Sequence, residues 1–400
     1  MTAWLSLIGT GADGLSGLTP AANALLGQAE IVLGPKRIMK SGDFGSAEVH
    51  EWASPLSKTL AQLATWRGRQ VAVLATGDPM HYGIGATLME HFALEEMRIL
   101  PAPSAFSLAA ARMGWPLQDA ETLSLHGRAA ARLQAFLQPG AKLLVLTSGA
   151  ETIAEVARMI GARGFGRSTL TVLENMGGAD EKITSFLASE AGAHTFGPFH
   201  TLAIRCVAEL DAILLPTSPG LPDEAYMHDG QLTKREVRAV TLSALAPAPG
   251  ALLWDVGAGC GSVAIEWMRA ARGARAMAFE RHPDRLAMIA ENMTALGTPE
   301  LDVVAGEAPE VLEHQPTPSA IFLGGAVSND AVFDACWSAL PVGGRMVANA
   351  VTLEGEAAVA AYHNAFGGEL VRLDISRVEA VGRMRGMRPG MAVLQWRGVK

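Results

Sequence analysis

Residues 251–262 read ALLWDVGAGCGS, and this stretch decides how the second half of the chain folds. Residues 251–256 form an apolar run whose length suits a strand buried on both faces of a parallel sheet. Asp255 stands near its end. Gly257, Gly259 and Gly261 then take alternate positions, and Ser262 opens the helical pattern VAIEWMRAAR. Strand, glycine-rich turn and helix in that order bring backbone close to a ligand and aim a helix N-terminus at it. The next strand is closed by Glu280, about twenty residues beyond the turn, where an acid can accept from ribose hydroxyls. A dinucleotide fingerprint requires G-x-G-x-x-G. Here the third glycine comes one residue early and Ser262 holds the sixth position, so the turn points to a different nucleoside ligand.

At 400 residues, 49% of them hydrophobic, the chain is too long for one ordinary core and is expected to form two domains, or three. The net charge is −8 and no long basic run stands out, which argues against a nucleic-acid partner. No apolar run reaches the ~18 residues of a membrane span. The opening MTAWLSLIGTGADG has no basic n-region and reads as a strand and turn rather than a signal peptide. Cys206, Cys260 and Cys336 are odd in number and far apart, which points to a reducing, cytoplasmic setting rather than a disulfide framework. Cys260 has no nearby His to activate it and is expected to be a small buried apolar residue. No His/Cys cluster has metal-ligand spacing, so no metal is expected.

Strands and helices alternate along the whole chain, which predicts an α/β architecture. Buried strands are expected at 4–9, 31–33, 70–75, 97–100, 121–125, 142–147, 169–174 and 200–207. Several end in small-residue turns, GTGADG, TGDP, PAPSA, TSGA and ENMGG, and ligands of open α/β sheets collect at such carboxyl ends. Residues 213–230 are Pro-rich without clear periodicity and read as a linker. Beyond it, a helix over 234–246 is expected with Thr233 as its cap. GEAPEVLE at 306–313 reads as a turn and helix, and residues 369–378 and 391–396 read as closing antiparallel edge strands.

The first half resembles the tetrapyrrole methylase family in five stretches that keep the family's order. They are GTGADGLSGLT at 9–19, AEIVLGPKR at 29–37, LATGDPMHYGIG at 74–85, LPAPSAFSLAAARMG at 100–114 and SLHGR at 124–128. Ala12 departs from the proline the family often carries there. The second half resembles the decarboxylating precorrin methyltransferase family in LTKREVRAVTL at 232–242, DVGAGCG at 255–261, Glu280, GEAPE at 306–310, FLGGA at 322–326 and NAVTLE at 349–354. Its acid-x-G-x-G-x-G order is similar to the first motif of Rossmann-like class I S-adenosylmethionine (SAM) methyltransferases. Together the resemblances imply a two-part tetrapyrrole methylase fold over 1–212, the linker, and a Rossmann-like class I SAM methyltransferase domain over 231–400. They imply SAM at two sites and a reduced tetrapyrrole substrate rich in carboxylates. The first half would methylate C5. The second would methylate C15 and decarboxylate the C12 acetate, converting precorrin-6B to precorrin-8X in cobalamin biosynthesis. A homo-oligomer is also implied. A SAM methyltransferase making one methylation on another polycarboxylate tetrapyrrole is the alternative, and a SAM-sensing or tetrapyrrole-carrying module is a third.

The resemblance carries candidate residues with it. For the first SAM these are Thr76, Gly77, Asp78, His81, Ser104, Ala105, Ser148 and Met176. For the second they are Thr233, Gly257, Ala258, Gly259, Cys260, Gly261, Glu280 and Ala308. Asp78 either lines the cleft or caps the turn before Pro79. His126 is either a substrate residue or a histidine bonded to backbone at a strand end. Gly324 and Gly325 either meet the substrate or make a plain tight turn. Asn349, Thr352 and Glu354 are candidates for the decarboxylation, with helix capping as the other reading of Glu354. Substrate carboxylates call for arginine forks, and Arg235, Arg238, Arg377, Arg383, Arg385 and Arg388 are available, with a solvated hairpin as the other reading of RMRGMR at 383–388.

Overall fold

A computed structural model describes residues 3–400. The chain divides into two compact units. The first runs to Ala130 and resumes at Gln138–Ile213, and the second comprises Ala131–Leu137 and Leu214–Lys400.

The first unit is built on two five-stranded sheets. One is wholly parallel, in the order Glu48–Glu51, Ile31–Gly34, Val71–Thr76, Leu5–Thr10, Met97–Leu100. Leu5, Leu7, Val71 and Val73 face one apolar cluster, while Ile8, Ala72 and Leu74 face another. This is why the central strands read as continuous apolar runs. The edge strand Glu48–Glu51 has no such run. Its sequence, EVHE, is largely exposed and carries no strand signal. The second sheet has the order Glu121–Ser124, Lys142–Leu146, His200–Arg205, Thr169–Glu174, Lys182–Leu187 and is mostly antiparallel. The helix Ala105–Met113 lays Phe106, Ala109 and Ala110 against Leu144, Leu173 and Ala203 of this sheet. Ser104 caps that helix by accepting from the Ser107 N–H, and Gly114 ends it in the left-handed region.

The second unit is a seven-stranded sheet in the order Asp302–Ala305, Arg275–Glu280, Leu252–Val256, Ala320–Leu323, Arg345–Ala350, Val393–Val399, Glu369–Leu373. The first five strands are parallel and the last two antiparallel. Strand order reverses between Leu252–Val256 and Ala320–Leu323, the position where ligands bind in doubly wound sheets. Val393–Val399 sits between two neighbours and is not an edge. The segment expected as one strand over 369–378 divides into Glu369–Leu373 and Ser376–Val381. The latter forms a separate hairpin with Met384–Pro389. GEAPEVLE yields only the single turn Glu310–Leu312. The helix Arg235–Leu245 has Lys234, not Thr233, at its N-cap position and no side-chain cap.

Residues 213–230 are not an extended linker. Leu215, Leu221 and Tyr226 are buried in the second unit's core beside Leu242 and Trp267. The backbone N–H groups of Gly220 and Leu221 donate to Glu266 at 2.6 and 3.0 Å, and the Tyr226 hydroxyl donates to it at 2.9 Å.

Candidate functional site

In the second unit the glycine turn forms one wall of a cavity of about 930 Å³. Gly257, Gly259 and Gly261 have φ of 73°, 60° and 79°. At Gly257 the requirement is double, because a Cβ there would also lie 2.8 Å from the Gly325 backbone. Both Gly324 and Gly325 donate to the Val256 carbonyl, at 3.0 and 3.3 Å, and both line the cavity. The ends of two adjacent strands thus meet backbone to backbone.

Glu280 is buried beneath the turn. Its carboxylate accepts from the N–H groups of Gly259 (2.8 Å), Arg281 (2.9 Å) and His282 (3.0 Å), which fixes its orientation at the cavity wall. A fixed acid beside a glycine turn suits the two hydroxyls of a ribose. Thr233, Ala258 and Ala308 line the same cavity. Cys260 is buried behind it, burial raises its thiol pKa, and its carbonyl accepts from the Asn292 amide at 2.9 Å. It holds the turn through backbone. Asp255 is fully buried. One carboxylate oxygen accepts from the Ala264 N–H at 3.0 Å, in the first turn of the helix Ser262–Ala270. The other has no partner among the described residues. Burial pushes this carboxyl up to about 7, the Ala264 bond opposes the shift, and the charge of Glu280 adds to it.

In the first unit the candidate residues follow the carboxyl ends of strands from both sheets. Gly77 has φ 70° and donates to the Thr10 carbonyl at 2.8 Å. Gly9 admits no side chain, since a Cβ would lie 2.3 Å from the Gly77 carbonyl oxygen and 2.4 Å from the Ala102 nitrogen. Asp78 accepts from the Met80 N–H at 2.8 Å across Pro79, the turn-capping geometry, and remains half-buried. The His81 ring lies 4.7 Å from the Phe106 ring, and its Nδ1 is 3.3 Å from the Ser104 hydroxyl, which ties Thr76–Gly77–Asp78–His81 to Ser104 and Ala105. Ser148 bridges two strand ends, donating to the Leu125 carbonyl and accepting from the Gly127 N–H. His126 places Nδ1 3.3 Å from the Thr147 carbonyl, the backbone-bonded arrangement, but its side chain is exposed. Met176 is buried in the cluster that holds Phe106.

Residues 5–192 match the family model for tetrapyrrole (corrin/porphyrin) methylases, and residues 224–400 match the precorrin methyltransferase domain. Over 398 residues the chain is 46% identical to a Sinorhizobium protein named precorrin-6Y C(5,15)-methyltransferase [decarboxylating], covering 99% of this chain and 96% of the relative. The chain belongs to that family. A shorter relative from Salmonella typhimurium, named cobalt-precorrin-7 C(5)-methyltransferase, is 32% identical over 179 residues, 45% of this chain and 88% of its own. The crystal structure of the C-terminal domain of precorrin-6Y C5,15-methyltransferase from Rhodobacter capsulatus is 45% identical, covering 46% of this chain and all of its own, with a TM-score of 0.44.

For a precorrin-6Y C5,15-methyltransferase family member, the arginines of the second unit divide sharply. Arg238 cannot receive substrate. It is 0% exposed, paired with Glu266 at 2.6 Å and Asp223 at 3.2 Å, and it also donates to the Thr233 and Leu221 carbonyls. A buried guanidinium needs its charge and its donors satisfied, and here the protein supplies every partner. Glu266 and Asp223 lie 28 and 15 residues from it in sequence, so no local pattern set it apart from the other arginine candidates. Arg377 and Arg388 line the cavity, held by Glu236 at 2.6 Å and Glu379 at 3.0 Å. Arg235 is exposed and lies off the cavity wall. Arg383 and Arg385 stand at and beside the hairpin tip and also lie off it.

Of the three decarboxylation candidates only Asn349 lines the cavity. Thr352 is the N-cap of the helix Leu353–Phe366, accepting from the Gly355 N–H at 3.1 Å. Glu354 is exposed in the first helical turn, so the cap is Thr352. Two polar residues the sequence did not single out hold Asn349. It donates to the Thr241 hydroxyl at 3.1 Å and accepts from Gln395 at 2.8 Å. Gln395 comes from the inserted antiparallel strand, more than forty residues away, and no local motif marks it. Among the described residues there is no group of His, Cys, Asp or Glu that could hold a metal, and no helix long and apolar enough to cross a membrane.

Proposed function

We propose that this chain carries out two methylations and one decarboxylation on a precorrin, with a SAM site in each unit. The observation that carries the reading is the near-full-length match, at 46% identity, to a protein named for that combined activity. The glycine-turn cavity supports it independently, since its fixed Glu280 and glycine backbone fit a nucleoside-bearing donor.

In the second unit, Glu280 would accept from the ribose hydroxyls, Ala308 would flank the adenine, and Thr233 and the turn backbone would hold the methionine part. Gly324 and Gly325 would leave room where donor and ring meet. SAM supplies a methyl on a sulfonium, which the ring carbon displaces in line. The enamine-like ring carbon is already nucleophilic, so positioning supplies much of the rate and no strong base is required. Arg377 and Arg388 would receive substrate carboxylates. Asn349 would orient the C12 acetate; as carbon dioxide leaves, the electron pair of the broken C–C bond would pass into a protonated pyrrole imine of the ring, and the remaining methylene would take up a proton to become a methyl group. In the first unit, the turns around Thr76–Asp78, Ser104–Ala105, Ser148 and Met176 would hold the other SAM, with His126 on the substrate side.

On this reading the first unit methylates C5. The second methylates C15 and removes the C12 carboxyl, taking precorrin-6B to precorrin-8X in cobalamin biosynthesis. The protein would act in the cytoplasm as a homo-oligomer, without nucleic acid. Separate expression of residues 1–213 and 214–400, each given substrate and SAM, tests the division. C5 methylation from the first piece, and C15 methylation with loss of carbon dioxide from the second, is the expected result. The opposite split overturns the assignment. A single methyl gain by the intact chain, without decarboxylation, would favour one methylation on another polycarboxylate tetrapyrrole.

A further inference from the structure

Tyr82 follows the TGDPMH turn of the first unit and has φ 54°. A bulky side chain rarely adopts the left-handed region, and such strain persists where the surroundings over-determine it. Three contacts hold Tyr82 there. Its hydroxyl donates to the Thr122 carbonyl at 3.3 Å, tying a turn of the parallel sheet to a strand of the second sheet. Its ring lies edge-on to Phe106 at 5.8 Å and roughly parallel to His81 at 5.6 Å. Tyr82 nevertheless remains 40% exposed.

The Arg128 guanidinium lies over this exposed ring, 5.4 Å from its centre. Arg128 forms no ion pair among the described residues, although the chain carries a net charge of −8. Stacking on an aromatic face leaves the in-plane N–H fork of an arginine free, which is the geometry that matches a carboxylate. The adjoining backbone is fixed. The Arg128 N–H donates to the Leu125 carbonyl at 3.2 Å, and the Gly127 N–H donates to Ser148 at 3.1 Å. An unpaired guanidinium is thus held on a strained, pinned ring beside the turns proposed to carry the first SAM.

We infer that Arg128 receives a carboxylate of the substrate in the first unit, and that Tyr82 is the residue positioning it. The inference rests on the tetrapyrrole reading of that unit. It predicts that Arg128 acts on substrate binding and not on SAM binding. In the full-length protein, initial rates of C5 methylation are measured against substrate concentration for the wild type, Arg128→Gln and Arg128→Lys. SAM binding is followed by calorimetry. Arg128→Gln should raise KM for the C5 step about tenfold, change kcat less than threefold and leave SAM affinity unaltered. Arg128→Lys keeps the charge without the fork and should fall between the two. Tyr82→Leu should raise the same KM, because the guanidinium loses its platform. An unchanged KM in Arg128→Gln, or a fall in kcat with equal loss of SAM binding, overturns the inference. A wild-type protein that methylates no precorrin overturns the functional reading instead, so the two failures are distinguishable.

Discussion

Replacing Glu280 by Ala removes one carboxylate that three backbone N–H groups share, those of Gly259, Arg281 and His282. Hydrogen bonds to an ionised acceptor are worth about 1.5–3 kcal/mol each, and an orphaned buried donor costs about 1–3 kcal/mol. The Gly259 N–H lies in the buried turn and feels the full loss. The other two follow the strand end, where water can replace part of it. A net loss of about 2–4 kcal/mol at the turn corresponds to roughly a thirty- to thousandfold weaker SAM affinity in the second unit. Glu280→Gln should be nearly as damaging. Both carboxylate oxygens are in use as acceptors, and an amide offers one oxygen while turning its NH₂ toward an N–H. Titration of the full-length protein with SAM by calorimetry is the assay. The wild type should bind two equivalents, and Glu280→Ala should bind one in the same concentration range while the first unit keeps its affinity. Two unaltered sites in Glu280→Ala would refute the role given to this carboxylate.

Removing the Arg238 guanidinium with Ala leaves Glu266 buried without its cation, at a cost of about 3–5 kcal/mol to the second unit; chemical denaturation should show a correspondingly lower midpoint, and a shift below 1 kcal/mol would contradict the network. Burial raises the Asp255 carboxyl from its ordinary 3.8 to about 7, so between those limits the native state holds a proton that the unfolded chain has lost, and stability falls as pH rises. Asp255→Asn should therefore gain up to about 4 kcal/mol over the wild type at pH 8 and little at pH 4, taking 1.36 kcal/mol per unit, and an equal difference at both pH values would refute the buried-acid assignment. Gly9→Ala forces a methyl against the Gly77 and Ala102 backbone, and should abolish SAM binding in the first unit while the second retains its own equivalent; two retained equivalents would show that these strand ends do not form the site.

The strands that position both sites were readable because burial on both faces leaves an apolar run, as in residues 71–75 and 252–254. The glycine turn was readable because positive φ and close approach restrict Gly257 to one residue type. What failed to show depended on partners distant in sequence. Arg238 looks like any helix-surface arginine until Glu266 and Asp223 meet it. The stretch 213–230 has no periodicity of its own, because its order comes from N–H groups and Tyr226 converging on Glu266. Asn349 was visible in NAVTLE, but Thr241 and Gln395, which fix its amide, lie on other elements. The strands Ser376–Val381 and Met384–Pro389 are largely exposed and carry no buried face to set a pattern, so only RMRGMR at 383–388, readable as a solvated hairpin, marked them.

The central claim is that one chain performs two methyl transfers and one decarboxylation on one ring. The most direct measurement gives the full-length protein precorrin-6B and SAM carrying a ¹³C methyl group, and follows the product by mass spectrometry and NMR. Two labelled carbons, at C5 and C15, and a methyl group in place of the C12 acetate are expected. A product with one labelled carbon, or with two and the acetate intact, would contradict it.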